Sequence, residues 1–299
     1  MNSPSVGQLL ALMLALIMLY LGLTLQVADF KRVWQRPTAL AAGLTGQLLM
    51  LPLLGFVVAN WLSLDPLMAV GLMVLVACPG GVSSGLLTHL ARGEVALSIS
   101  LTAVTSVAAM LTLPLVVNLS MHFFLAQSDP VAFDLATMVR SIFLLTTLPV
   151  LIGMGLRQWQ PEPVLRLLPA AARLATGLFV LIVLATFWEQ RQTLMTQLPT
   201  LGSACVLLNS LVLLGAWVVS RAFGLGAAER TAVVTECGLQ NAALGIYVCV
   251  QLLHTPAMSA PSIVYALLMN GGALAFVYFV RAKSPSAGLT RGPNPLSSP

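Results

Sequence analysis

Apolar residues run in long blocks along this chain, separated by short loops that hold most of the charge. A helix that crosses a bilayer needs about 20 predominantly apolar residues, because roughly 30 Å of hydrocarbon is covered at about 1.5 Å per residue. Nine blocks reach that length: Gly7 to Gln26, Pro37 to Trp61, Pro66 to Leu90, Val95 to Phe124, Ala132 to Leu156, Ala170 to Phe187, Leu201 to Phe223, Ala227 to Leu253 and Ala260 to Val280. The pattern predicts an all-α integral membrane protein with about nine transmembrane helices. The first block is expected to be a mature helix, since Met1 to Val6 carries no basic residue and the apolar run is too long for the core of a signal peptide. Residues 282–299 turn to Pro, Ser and Gly and are expected to form a disordered, solvated tail.

Composition excludes an ordinary soluble globule. Of 299 residues, 58% are hydrophobic and 8% charged, and the mean hydropathy of +0.95 leaves too little polar surface to face water. A net charge of +5 would point to nucleic acid if the basic residues shared one face among aromatics, but here they sit in short loops. Threaded through nine spans, Lys31, Arg32, Arg36, Arg92, Arg157, Arg166, Arg173, Arg221, Arg230, Arg281, Lys283 and Arg291 lie on one side, against Arg140 and Arg191 on the other. The basic excess marks the cytoplasmic side, so the N-terminus is expected outside and the C-terminus inside. Cys78, Cys205, Cys237 and Cys249 fall inside apolar stretches with no zinc or disulfide spacing, and read as small buried residues. His89, His122 and His254 are scattered near span ends. No phosphate loop or nucleophile–base pair supports an enzyme.

Two blocks are interrupted. The third contains Cys78-Pro79-Gly80-Gly81-Val82-Ser83-Ser84-Gly85, where Pro79 lacks a backbone donor and each glycine costs about 1 kcal/mol of helix propensity relative to alanine. The eighth contains Thr235-Glu236-Cys237-Gly238-Leu239-Gln240-Asn241, a carboxylate and two amides around a glycine. Glu236 alone among the acidic residues sits deep in a span. A carboxylate there costs roughly 2.5 to 3.5 kcal/mol on insertion scales, and with no Lys or Arg at that depth its counter-charge is a metal cation or a proton. Interrupted helices in corresponding places of two halves point to a secondary transporter built from inverted repeats. The repeats would be spans two to four and seven to nine, each broken in its middle member.

At these residues the chain resembles the bile acid:sodium symporter family, bacterial members included. The resemblance runs from Leu21-Gly22-Leu23 and Asp29-Phe30 to the last span, and its specific marks are Cys78-Pro79-Gly80-Gly81, Leu90-Ala91-Arg92-Gly93-Glu94-Val95-Ala96-Leu97-Ser98 and Glu236-Cys237-Gly238-Leu239-Gln240-Asn241. It implies a panel domain beside a core domain with two broken helices crossing near sodium sites. The panel would hold residues 1–27 and 132–187, the core 37–124 and 201–281, and the chain would begin at the second span of ten-span members. One sodium site would use Ser84, Ser98, Thr102 and Glu236; Gly85 stands where close bacterial relatives have Asn and supplies no side-chain oxygen. The other would use Gln47, Glu236 and Gln240 with the carbonyls of Cys237 and Leu239. The resemblance thus implies one or two sodium ions, a bacterial inner-membrane location and an organic anion as substrate.

The chemistry fits that implication, because hard cations take oxygen ligands and unwound helix offers carbonyls. Glu236 and Gln240, four apart, share a face if helicity persists through Gly238. The breaks at Pro79, Gly80, Gly81 and Gly238 would open half-helix N-termini for an anion, with Val82, Ser83, Asn241 and Asn270 beside it. On residue type alone Ser84, Ser98 and Thr102 are ordinary interhelical hydrogen-bonders, as are Asn118 and Asn209. The main expectation is a sodium-coupled symporter of a bile acid-like or other carboxylate or sulfonate metabolite, with bilayer lipid as its other partner and neither a nucleic acid nor a protein partner predicted. A proton-coupled or sodium-independent exporter of the same fold and a ligand-binding membrane receptor stay open as alternatives.

Overall fold

The computed structural model describes residues 4–29, 37–81, 83–125 and 134–283. Val82, the basic residues Lys31, Arg32, Arg36 and Arg291, and the tail beyond residue 283 lie outside the described residues. The described chain is helical and carries no strand beyond one isolated bridge. We number the helices α1 (Pro4–Thr24), α2 (Pro37–Trp61), α3 (Pro66–Ala77), α4 (Ser84–Leu90), α5 (Val95–Phe124), α6 (Leu135–Trp159), α7 (Pro161–Glu189), α8 (Arg191–Ala222), α9 (Ala227–Gly238), α10 (Ala242–Leu252) and α11 (Ala260–Lys283). Among the described residues, seven helices are long and apolar enough to cross a bilayer, and α3 and α10 are shorter apolar pieces. The protein is an all-α membrane protein.

Local chemistry sets many of the boundaries. α3 starts at Pro66, whose missing N–H is no loss at a first turn, and the Asp65 carboxylate accepts from Leu67 N–H at 3.0 Å. In α2 and α6 the helix widens to π geometry at Thr45–Met50 and Phe143–Thr147. Pro52 and Pro149 follow directly, and each proline ring would collide with the carbonyl four residues back in a regular turn. Two expected spans proved too short. α7 begins at Pro161 rather than near residue 170, and α8 begins at Arg191 rather than near 201. Apolar windows mark the hydrocarbon-crossing part of a helix, and both helices continue through an internal proline, Pro169 and Pro199, beyond it.

The broken helices are the innermost elements. Every residue from Met68 to Ala77 in α3 and from Thr231 to Gly238 in α9 is buried, whereas α7 exposes Leu165, Leu174, Leu181 and Leu184. α1 packs along α6 and α7, while α2, α3, α5, α8, α9 and α11 pack on one another. At one end of the bundle Arg281 Nε donates to Leu90 O at 2.7 Å and Glu94 N–H to Ala228 O at 3.0 Å. The Arg221 and Arg230 guanidiniums both lie over Trp217, at 5.1 and 5.9 Å. Arg92, Arg221, Arg230 and Arg281 therefore gather at one end.

Candidate functional site

α3 and α9 stop in mid-bundle and their continuing segments cross. Gly80 faces Gln240 in an antiparallel bridge, flanked by Gly81 N–H to Leu239 O at 2.8 Å and Asn241 N–H to Pro79 O at 2.9 Å. This pairing supplies partners for backbone that helix would otherwise have satisfied, which is what buried polar groups require in a bilayer. The segments come this close because residue 80 has no side chain: a Cβ there would fall on the Glu236 carboxylate.

Helicity in α9 persists through Gly238 but no further, so Gln240 lies in the extended crossing and not on a helical face shared with Glu236. The half-helix N-termini are also less open than the sequence suggested. α10 starts at Ala242, the Asn241 side-chain oxygen accepts from Leu244 N–H at 3.1 Å, and Ala242 N–H donates to Gln240 O at 2.9 Å. Asn241 thus caps its own helix, and its Nδ2 meets the Met18 sulfur of α1 at 3.7 Å.

Glu236, 1% exposed, sits where three elements meet. Ser98 Oγ donates to its Oε2 at 2.8 Å and Thr102 Oγ1 to its Oε1 at 2.5 Å, both from α5. Ser84 Oγ, at the start of α4, lies 3.4 Å from both Ser98 Oγ and Thr102 Oγ1. No ion pair to Glu236 is formed among the described residues. The expected first group of oxygen ligands is therefore brought together around one carboxylate. A Cβ at Gly85 would meet Ile99 Cγ1 at 3.2 Å, and no atom of Glu236, Ser98 or Thr102 lies within 4 Å of it.

The second group also converges. Gln47, in the π turn of α2, donates through Nε2 to Cys78 O and to Gln240 Oε1, each at 2.9 Å, while Gln240 Nε2 donates to Cys237 O at 2.8 Å. Gln47 Oε1 is buried without a partner. A buried oxygen left unpaired near further carbonyl oxygens is the kind of donor a hard cation takes.

Beside the crossing is a cavity of about 300 Å³, lined by Tyr20 of α1, Phe179 of α7 and, from the other side, Ser83, Gln240, Asn241 and Asn270. Among the described residues, no charged side chain lines it. Asn270 Nδ2 donates to Ala266 O at 3.4 Å and remains on the wall.

Sequence reasoning left Asn209 as an ordinary hydrogen-bonder and passed over Tyr265. In the structure Asn209 Nδ2 and Tyr265 OH both donate to Gly238 O, at 3.1 and 3.0 Å, where α9 ends. A signal was available: Asn209 precedes the carbonyl that it holds by 29 residues, much as Gln47 precedes Cys78 by 31 in the other broken pair.

The family model for the sodium bile acid symporter family matches residues 11–197. A probable sodium/metabolite cotransporter, BASS2, chloroplastic, of Oryza sativa subsp. japonica is 30% identical over 269 residues, 90% of this chain and 62% of its own. The uncharacterized sodium-dependent transporter YocS of Bacillus subtilis (strain 168) is 27% identical over 285 residues, 95% of this chain and 87% of its own. The ileal sodium/bile acid cotransporter of Homo sapiens is 25% identical over 258 residues, 85% and 72%. Against two of the chloroplast relatives, this chain spans about three-fifths of their length, 62% and 60%.

Proposed function

Because the chain belongs to the sodium bile acid symporter family, we propose that it is a sodium-coupled secondary transporter of an organic anion working by alternating access. The observation that carries this reading is the Glu236 carboxylate, enclosed by Ser84, Ser98 and Thr102 beside the crossing of two broken helices. Sodium supplies the missing positive charge. One site is Glu236 with Ser84, Ser98 and Thr102; the second is Gln47, Gln240 and Glu236 with the carbonyls of Cys237 and Leu239. The orphan Gln47 Oε1 supports the second site. Gly85 adds no oxygen to the first, so the two sites differ in strength.

Glu236 serves both sites, and the crossing links it to the substrate wall through Gln240, which is a site ligand and lines the cavity. Cation occupancy thereby fixes the position of Asn241, one residue on. The panel consists of α1, α6 and α7 and the core of the other helices. The substrate lies between them, held by amide N–H groups and by Asn241 and Asn270 rather than by a cationic side chain. A bile acid-like molecule or a smaller carboxylate or sulfonate suits such a cavity. Leu86 on α4, four residues before Leu90, and Ala172 beside Arg173 both belong to its wall. The cavity therefore faces the arginine-rich end, which is the cytoplasmic side of a bacterial inner membrane, with the N-terminus outside.

Proteoliposomes loaded with potassium and placed in sodium buffer test the proposal with labelled anionic metabolites. Concentrative uptake that collapses when potassium replaces sodium is the expected result. Uptake that ignores sodium and follows a pH gradient would assign the counter-charge of Glu236 to a proton and overturn the sodium reading.

A further inference from the structure

The two crossing segments are related residue by residue. With Gly80 facing Gln240, Pro79 corresponds to Leu239 and Cys78 to Gly238. The carbonyl of Cys78 accepts from Gln47 of α2, and that of Gly238 from Asn209 of α8. The second carbonyl has one partner more, the Tyr265 hydroxyl of α11, and Asn209 Nδ2 is also 3.0 Å from that hydroxyl. Two buried side chains, from α8 and α11, thus close on one carbonyl oxygen of α9.

That oxygen lies between the two carbonyls assigned to the cation. Leu239 is extended, with φ −116° and ψ 112°, and in extended backbone successive carbonyls point to opposite sides. Holding Gly238 O toward α8 and α11 turns Leu239 O the other way, where it meets Gly81 N–H. Tyr265 is 1% exposed and among the largest fully buried side chains. Gly272 of α11 is pressed against Asn209 Oδ1, so a Cβ there would collide with it and the amide is held in place.

We infer that Tyr265 and Asn209 are positioning residues for cation binding, clamping the Gly238 carbonyl so that Cys237 O and Leu239 O are presented to the ion. The inference rests on the sodium-coupled reading. It differs from the ligand sets above in that neither side chain touches the ion. Clamp and ligands divide the work: α8 and α11 fix the peptide planes, and Gln47 and Gln240 exchange partners when the cation arrives.

The test is equilibrium binding of radioactive sodium to the purified full chain, with melting temperature measured in sodium-free potassium buffer. Tyr265→Phe removes the hydroxyl with little change of shape. The half-saturating sodium concentration should rise about five- to tenfold, the effect of one ordinary hydrogen bond, at unchanged binding capacity. Asn209→Ala should act in the same direction and serves if Tyr265→Phe does not fold. Leu213→Ala, which loosens apolar packing against Gly238, should lower the melting temperature yet leave sodium affinity in place. Half-saturation within about twofold of the parent in both clamp variants, or failure of both to fold, overturns the inference by making the pair a fold determinant only. A parent protein with no saturable sodium binding would instead overturn the coupling itself.

Discussion

The two interrupted helices reach the same crossing by different means. α3 stops because its own residues cannot continue: Pro79 lacks an N–H, and Gly80 and Gly81 follow. α9 meets no proline and its one glycine stays helical; it stops where Asn209 and Tyr265 take the Gly238 carbonyl and the Asn241 side chain starts the next helix. The first break is thus intrinsic and the second imposed. They also differ in reserve capacity. The first is held by Gln47, whose Oε1 is unpaired, whereas the second is held by groups that bond one another. An ion therefore has an oxygen to claim beside the first break and a fixed frame beside the second.

The strongest way to break this arrangement is to remove the charge both segments share. Glu236→Gln should abolish sodium-dependent uptake, with apparent sodium affinity falling roughly a hundredfold or more, in line with the loss of one partner of a buried ion pair. Sodium binding near the parent value would remove Glu236 from the site.

Alanine at one glycine of each break comes next. In Gly80→Ala the new methyl lands on a carboxylate held by Ser98 and Thr102, which leaves no room to yield. Thermal melting in detergent should report a loss of about 1–3 kcal/mol, the usual range for overpacking. Gly238→Ala would press only on the flexible end of Leu213, at 2.6 Å, and should melt close to the parent. Equal losses at both positions would erase the distinction between the breaks.

Gln47→Leu removes the donor to Cys78 O and Gln240 Oε1 together with the orphan oxygen. The half-saturating sodium concentration in uptake assays should rise about tenfold. The smallest effect is expected from Gly85→Asn. Its Cβ would meet Ile99 and no atom of Glu236, Ser98 or Thr102, so sodium affinity should stay within about twofold of the parent. A marked gain would mean that α4 turns far enough to bring residue 85 into the first site.

Much of this was legible before the fold was known. Chain-long apolar blocks marked the spans, Pro79-Gly80-Gly81 marked one break, and a solitary Glu236 marked the centre, because each rests on a local cost that no distant contact can cancel. The helix ends of α7 and α8 were misjudged, since polarity reports where hydrocarbon stops and not where hydrogen bonding stops. Asn241 was read as a substrate contact; it lines the cavity, and its side-chain oxygen also caps α10, which the sequence did not indicate. Asn209 and Tyr265 escaped notice because each is an unremarkable residue in its own helix, and their role exists only where α8 and α11 converge on Gly238.

By itself, then, the sequence determined the bilayer as solvent, the basic asymmetry, the first interruption and the buried acid, all of which follow from transfer costs and backbone chemistry within a few residues. Only the tertiary structure decided that the broken segments pair through Gly80 and Gln240, that hydroxyls from α4 and α5 enclose Glu236, and which side chains hold the end of α9. Those outcomes depend on hydrogen bonds between groups on separate segments of the chain, 27 residues apart for Tyr265 and Gly238 and 134 for Thr102 and Glu236. Unpaired polar groups are so costly in a bilayer that such distant partners, once brought together, override local preference.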